Sequence, residues 1–391
     1  SALVLGVWRL SLGLIALPRE RAVRLIGASF LAYFAAEALA TLVNYAGPHD
    51  LLAIVANLPF IAFLIVFGRL SLTPRADVLR WTEYGSIGGA YGAGLFALVE
   101  VFVRGFPRAE GLAGNSGPFA LVCAILFGFC VAIAIYRHDR MRGIAGGAAL
   151  FAAVGLILSG MRSLWPMLLI APALLAWLLD FIPNTLFTRR AALVAAAAAV
   201  IVASLGYSTV ETRVMSLVKD IEKVDAGNYD NSLGLRIRVW DAALELIAQK
   251  PVFGQGPAHA RSALQTAASE RGEKEISFSH AHNLVLNTLM RSGVFGLAAV
   301  IAMFAVPLWA AGRRDKDEIG RIGYALMVTF CTTYLVNGAF NVSLGHDIVD
   351  ALFLYCMITT AYLVFGASGT PRCILLADGR RATNPAALAA V

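Results

Sequence analysis

Eleven apolar runs, each about the length that crosses a bilayer as a helix, dominate the sequence: near 2–17, 22–43, 51–69, 77–103, 117–136, 143–159, 163–180, 191–209, 283–311, 319–341 and 347–366. A hydrocarbon layer about 30 Å thick needs roughly 20 apolar residues in helical conformation. Composition agrees with the runs. Of 391 residues 59% are apolar and only 15% charged, against about a quarter charged in a soluble domain, so the chain lacks the polar surface to coat a water-facing globule. Membrane barrels are built from short alternating strands, which these continuous runs exclude. The expectation is an all-α, polytopic integral membrane protein with 11–12 transmembrane helices. The sequence begins at Ser1, and its first run is followed, not preceded, by Arg19, Arg21 and Arg24, unlike a signal peptide; this leaves room for a further span upstream.

The connections alternate in charge. Arg19, Arg21, Arg24, Arg69, Arg75, Arg80, Arg137, Arg140, Arg142, Arg189, Arg190, Arg313, Arg314, Lys316, Arg321, Arg372, Arg380 and Arg381 fall on one side. The short connections of the other side hold Arg104, Arg108 and Arg162 alone. By the positive-inside rule the first set is cytoplasmic, and the hydrophilic stretch 210–282 faces the outside. That stretch is nearly neutral, with 9 Lys/Arg and 10 Asp/Glu. The organisation expected is a bundle of about eight helices over 1–209, an external loop domain over 210–282, about three further helices over 283–366 and a cytoplasmic tail over 367–391. The net charge of +7 therefore reports membrane orientation, and no nucleic-acid partner is expected. Cys123, Cys130, Cys331, Cys356 and Cys373 lie in or beside apolar runs, with neither metal spacing nor a disulfide framework.

A loop this long is usually functional or disordered, and this one has helices written into it. After the turn-rich Gly227-Asn228-Tyr229-Asp230-Asn231-Ser232, the stretch 233–249 sets Leu233, Ile237, Trp240, Leu244 and Ile247 at helical spacing. An amphipathic helix is expected there, capped near Asn231 or Ser232 and stopped by Pro251. Phe253-Gly254-Gln255-Gly256-Pro257 reads as a turn with glycines at positive φ, leading to a weaker helix over about 258–268. The loop closes on Ser279-His280-Ala281-His282-Asn283 at the entrance to a span.

Imidazole is the side chain most easily poised to move a proton near neutral pH. The His-x-His spacing does not suit a metal on a helix, since residues two apart do not share a face, and no metal is expected. Arg162 stands in a minimal turn, Leu158-Ser159-Gly160-Met161-Arg162-Ser163, on the side where arginine is scarce. Exactly two spans separate it from the long loop, so Arg162, Arg236 and His282 emerge on one face. Two guanidiniums and an imidazole suit a substrate with a phosphate-type leaving group: arginine forks onto phosphate oxygens, and histidine deprotonates a hydroxyl nucleophile. Arg291 lies either in a cavity wall or at lipid head groups, and Glu37, Glu100 and Arg9 interrupt apolar runs as buried polar contacts.

These residues resemble a known family. Ser159 to Arg162, Arg236-Ile-Arg-Val-Trp240, Pro251-Val-Phe-Gly-Gln-Gly256 and His280-Ala-His-Asn283, followed by a span with Gly293-Val-Phe-Gly296, look like the O-antigen ligase and polymerase superfamily of bacterial envelope proteins. The resemblance implies a C-type glycosyltransferase-like (GT-C) fold, with a large periplasmic loop holding two helices, in the inner membrane of a Gram-negative bacterium. It implies transfer of a glycan from an undecaprenyl-diphosphate donor to the lipid A-core acceptor, without metal, nucleotide or other cofactor. The family's two essential arginines and histidine fall on Arg162, Arg236 and His282. Arg238, His280, Trp240, Asn283 and Arg291 are the expected substrate-binding residues, with His280 the rival of His282 and Arg238 of Arg236. The turn departs from the family's commoner Ser-Arg pair by inserting Gly160-Met161. An O-antigen polymerase or a protein O-oligosaccharyltransferase shares the donor chemistry, and the motifs do not separate the three. A lipid-linked glycan flippase is the alternative of another class; it predicts charges spread through the spans and inverted repeats, and neither is evident.

Overall fold

The computed structural model describes residues 17–112, 114–180, 189–229, 231–270, 278–367, 374–375 and 381–382. Thirteen α-helices occur among them: α1 (Arg21–Val43), α2 (Leu51–Asn57), α3 (Phe63–Leu70), α4 (Arg75–Leu98), α5 (Ser116–Tyr136), α6 (Arg140–Leu158), α7 (Met167–Leu178), α8 (Arg189–Asp225), α9 (Ser232–Gln249), α10 (Ala260–Ser269), α11 (Leu284–Gly312), α12 (Glu318–Phe340) and α13 (Asp347–Phe365). A two-residue antiparallel pairing, Ile374–Leu375 with Arg381–Ala382, is the only strand pairing among the described residues. The protein is an all-helical polytopic membrane protein.

Eight stretches among the described residues are long and apolar enough to cross a membrane: Arg21–Val43, Pro48–Leu70, Arg75–Val103, Ser116–Tyr136, Arg140–Leu158, Leu284–Gly312, Glu318–Phe340 and Asp347–Phe365. They correspond to eight of the eleven apolar runs. The run 2–17, with Arg9, and most of the 367–391 tail lie outside the described residues. The run 163–180 is shorter than a full span: a 3-10 turn, Arg162–Leu164, leads into the 12-residue α7. The run 191–209 does not end where its apolar character ends. It opens the 37-residue helix α8, which continues to Asp225. The physical reason is that 209–225 holds neither glycine nor proline, so a change from apolar to polar side chains alters the helix's surroundings without breaking its backbone.

The core includes a cluster of aromatic rings from four helices, α1, α3, α12 and α13. Phe30 stacks on Phe63 at 4.9 Å between centroids and on Phe353 at 5.9 Å, and Tyr334 meets Phe353 edge-on at 5.1 Å. The Tyr334 hydroxyl donates to the Val349 carbonyl at 2.7 Å, so its polar end is satisfied inside the core.

Ion pairs mark one end of the bundle. Arg75 pairs with Asp317 at 2.8 Å, Arg321 with Asp180 at 3.0 Å, and Arg314 with Glu20. Asp317 also caps α12, accepting from the Gly320 N–H at 2.8 Å. These contacts join connections that the charge pattern assigns to a single side. Deeper in the bundle, the two glutamates that interrupt apolar runs have partners. Glu37 accepts from Arg291 at 2.7 Å and from the Ser292 hydroxyl at 2.6 Å. Glu100, in a π-helical turn after α4, accepts from the Glu110 and Gly111 N–H groups at 2.9 and 3.0 Å.

Candidate functional site

The scaffold of the site is a docking of the loop onto a broken helix. Within α11, Gly293 takes φ 64° and ψ −159°, a conformation essentially restricted to glycine. The break frees backbone groups that an unbroken helix would use internally. The Gln255 N–H donates to the Met290 carbonyl at 2.7 Å, the Gly256 N–H to the Arg291 carbonyl at 3.0 Å, and the Val294 N–H to the Pro251 carbonyl at 3.0 Å. The approach is so close that a Cβ at Gly293 would lie 2.1 Å from the Val252 carbonyl oxygen, and one at Gly254 2.6 Å from the Met290 carbonyl oxygen. The two glycine-bearing motifs of the sequence are therefore the two halves of one contact. Asn44, at the end of α1, joins it by donating to the Gly254 carbonyl at 3.2 Å and accepting from Lys250 at 2.8 Å.

On this base stand α9 and α10. Asn231 caps α9 by accepting from the Leu233 and Gly234 N–H groups at 3.1 and 3.0 Å. The buried face of α9 differs from the one expected from its large residues. Val239, Ala242, Ala243 and Leu246 are buried against Ala260, Leu264 and Ala268 of α10, while Leu244 is 54% exposed. Close helix packing selects small side chains, and alanines made the seam less visible than leucines would.

The histidine turn is tied to this helix pair. The Trp240 indole N–H donates to the Ala281 carbonyl at 2.8 Å, and the Ala281 N–H in turn donates to Asn287 on α11 at 3.3 Å. Asn283 caps α11, accepting from the Leu286 N–H at 3.0 Å, and its amide donates to the Ala339 carbonyl at 3.1 Å. Between them His282 sits in the left-handed region at φ 50°, an uncommon conformation for a residue with a side chain and one that the surrounding bonds hold in place. Its ring packs edge-on against Phe278 at 4.8 Å and His280 at 4.2 Å. Burial first, then the neighbouring His280 and Arg236 charges, push the His282 pKa down from 6.5 to about 3; an Asn341 hydrogen bond opposes this. Burial and His346 push His280 down to about 4. Both rings are neutral at physiological pH.

The arginines meet the histidines through Arg236. Arg162 sits in the 3-10 turn before α7, and its Nη1 donates to the Arg213 carbonyl on α8 at 2.5 Å. The Arg236 guanidinium is half-buried, and its pKa is lowered first by burial and then by the charge of Arg162, with Asp220 opposing. Arg162 and Arg236 thus feel one another, and Arg236 feels His282. The structure brings all three sequence-identified residues into one electrostatic neighbourhood. Arg213 belongs to the same neighbourhood and was not singled out in the sequence; its pKa is lowered by burial and by Arg108 and Arg162. Among the described residues, no carboxylate lies within ion-pair distance of Arg162, Arg213 or Arg236. Guanidiniums remain charged under such shifts, so the cluster is a partly desolvated group of cations in excess over the one nearby carboxylate among the described residues, Asp220, and suits an anion.

The other candidates fall into different roles. Arg238, rival to Arg236, is buried, and its Nη2 donates to the Ala268 carbonyl of α10 at 3.2 Å, so it holds the helix pair together. Arg291 is paired with Glu37 across α1 and α11 and braces the Gly293 break; a protein carboxylate stands where a ligand had been expected. Trp240 and Asn283 position the histidine turn by the bonds above. His280 accepts from the His282 N–H on Nδ1 at 3.3 Å and lies beside the His282 ring. No three His, Cys, Asp or Glu side chains among the described residues gather as metal ligands would.

Residues 147–301 match a family model described as O-antigen ligase. A curated Haemophilus influenzae protein, described as uncharacterized, is 24% identical over 293 residues, covering 72% of this chain and 71% of that protein. The matched segment contains Arg162, Arg213, Arg236, both histidines and the Gly254–Gly293 docking. Over that segment the chain is similar to the O-antigen ligase family, and the likeness rests on the part of the sequence that carries these residues.

Proposed function

We propose that this protein is an O-antigen ligase: it transfers a glycan from an undecaprenyl-diphosphate carrier to the lipid A-core oligosaccharide at the periplasmic face of the inner membrane. The observation that carries the reading is the position of Arg236, coupled electrostatically to Arg162 on one side and to His282 on the other. Cations acting on a neutral imidazole are a combination suited to glycosyl transfer from a diphosphate, and this supports the reading. In this reading the bundles 1–209 and 283–366 form a GT-C-like membrane body, the 210–282 loop lies in the periplasm and the 367–391 tail in the cytoplasm.

Arg162 and Arg236 bind the diphosphate and stabilise the charge that grows on it as the sugar C1–O bond breaks. Preorganised donors of this kind are worth on the order of 3 kcal/mol each in barrier lowering. His282 accepts the proton of the acceptor hydroxyl as the oxygen attacks C1 from the opposite face. The C1–O electron pair leaves with undecaprenyl diphosphate, and the new glycosidic bond has inverted configuration. A free imidazole whose pKa is about 3 is a weak base, chiefly because it is buried and to a lesser extent because of the His280 and Arg236 charges, and the Arg236 part of that weakness belongs to the chemistry. A diphosphate seated on Arg236 offsets the positive charge that depresses His282, so donor binding raises the basicity of the ring at the moment it is needed.

The test is reconstitution with a purified undecaprenyl-diphosphate glycan, offering a rough lipopolysaccharide core or a second donor molecule as acceptor. Extension of the core supports the ligase; extension of the second donor alone assigns the protein to the polymerases of the same superfamily.

A further inference from the structure

The inserted Gly160-Met161 and the unexpected length of α8 meet at one place, the guanidinium of Arg213. Gly160 has φ 68°, and a Cβ built on it would lie 2.8 Å from Arg213 Nε and 3.2 Å from Nη2. Glycine there leaves the space in which the guanidinium rests. The backbone carbonyl of Arg213 is fixed by Arg162 Nη1 at 2.5 Å and by the Ser216 hydroxyl at 2.9 Å. Arg213 has no carboxylate at ion-pair distance among the described residues, and Arg108 and Arg162 are its charged neighbours. Three half-buried cations, with Asp220 the one carboxylate acting on Arg236 and none at ion-pair distance of Arg213 among the described residues, favour an anion carrying more than one charge.

Resting on the function proposed above, we propose that Arg213 is a third guanidinium of the diphosphate site, seated over Gly160 and matched to the charge of the leaving group. The chemistry supplies the reason. A glycosyl diphosphate lipid is a diester with two negative charges. Breaking the C1–O bond turns the outer phosphate into a terminal one, which develops a third charge near neutral pH. Two arginines balance the ground state, and the third balances the product-like transition state, where an interaction raises turnover and not merely binding. Arg213→Ala therefore lowers kcat more than it raises KM.

The binding test uses the purified full-length protein with farnesyl diphosphate as the leaving-group probe and farnesyl monophosphate as the comparison. Wild type binds the diphosphate more tightly. Arg213→Ala loses on the order of tenfold to a hundredfold of diphosphate affinity with monophosphate binding nearly unchanged, as expected for one or two charge-assisted bonds. Arg213→Lys recovers part of the loss, and Gly160→Ala reproduces it by displacing the guanidinium. Arg261→Ala, an exposed charge on α10, controls for bulk electrostatics, and unchanged thermal melting of each variant excludes misfolding. If Arg213→Ala and Gly160→Ala bind the diphosphate like wild type while Arg162→Ala and Arg236→Ala do not, the role of Arg213 is overturned and the diphosphate site stands. If wild type binds neither lipid, both ideas fall.

Discussion

The Trp240 indole N–H donates to the Ala281 carbonyl at 2.8 Å. This bond couples the helix that presents Arg236 to the turn that presents His282, so the distance between cation and base depends on it. Trp240→Phe keeps the ring and removes the donor. The lost bond is worth about 1 kcal/mol in stability. The displacement it permits between reacting groups lowers kcat on the order of tenfold, with thermal melting little changed. Equal activity of the two proteins in a transfer assay contradicts the coupling.

The depressed histidines make the fold acid-sensitive. His280 and His282 have folded pKa values of about 4 and about 3, against 6.5 for an unperturbed ring. Below pH 6.5 the unfolded chain binds protons at these positions that the folded chain does not, so their contribution is fully present above 6.5 and is lost as pH falls toward the folded values. Thermal melting should decline between about pH 6.5 and 4 in wild type and decline less in a His280→Gln/His282→Gln double variant. Identical pH profiles for the two would show that neither ring is held neutral by burial.

Donor binding should reverse part of that depression. Nitrogen-15 NMR of labelled histidine, with and without farnesyl diphosphate, is expected to show the His282 titration moving upward on binding and the shift disappearing in Arg236→Ala. A His282 titration insensitive to the diphosphate removes the electrostatic link between the two sites.

The docking at Gly293 is a structural requirement. Gly293→Ala forces a side chain into a backbone conformation that costs about 1–3 kcal/mol, with the Val252 carbonyl in its way. Its melting temperature should fall by several degrees. Breaking the Glu37–Arg291 pair beside it, with side chains 2% and 18% exposed, should cost about 3–5 kcal/mol for either single alanine variant, whereas Glu37→Gln with Arg291→Met restores most of it. Wild-type melting in the single variants would mean that the pair does not brace the break.

Much of this was legible in the sequence because local chemistry specified it. The spans followed from apolar length, and the start of α9 from Asn231, whose side chain caps as expected. The glycine turn followed from Gly254 and Gly256, both at positive φ. What escaped was non-local or rested on inconspicuous residues. Glu37 and Arg291 are 254 positions apart, and no spacing rule links them. The packed face of α9 is made largely of alanine and valine, which a search for large apolar residues passes over. Arg213 is inconspicuous in the sequence because the side chains turn polar after residue 209, as they do at the start of a loop, while the absence of glycine and proline carries α8 onward and sets that side chain over Gly160.

The most direct measurement is glycan transfer from undecaprenyl diphosphate to lipid A-core by purified protein in EDTA, comparing wild type with Arg162→Ala, Arg236→Ala and His282→Ala. Turnover that persists in EDTA, vanishes in His282→Ala with donor binding retained, and falls with weakened donor binding in the two arginine variants is the predicted result. Transfer retained by His282→Ala, or reversibly stopped by chelation, would contradict a mechanism in which two guanidiniums and an imidazole do the work.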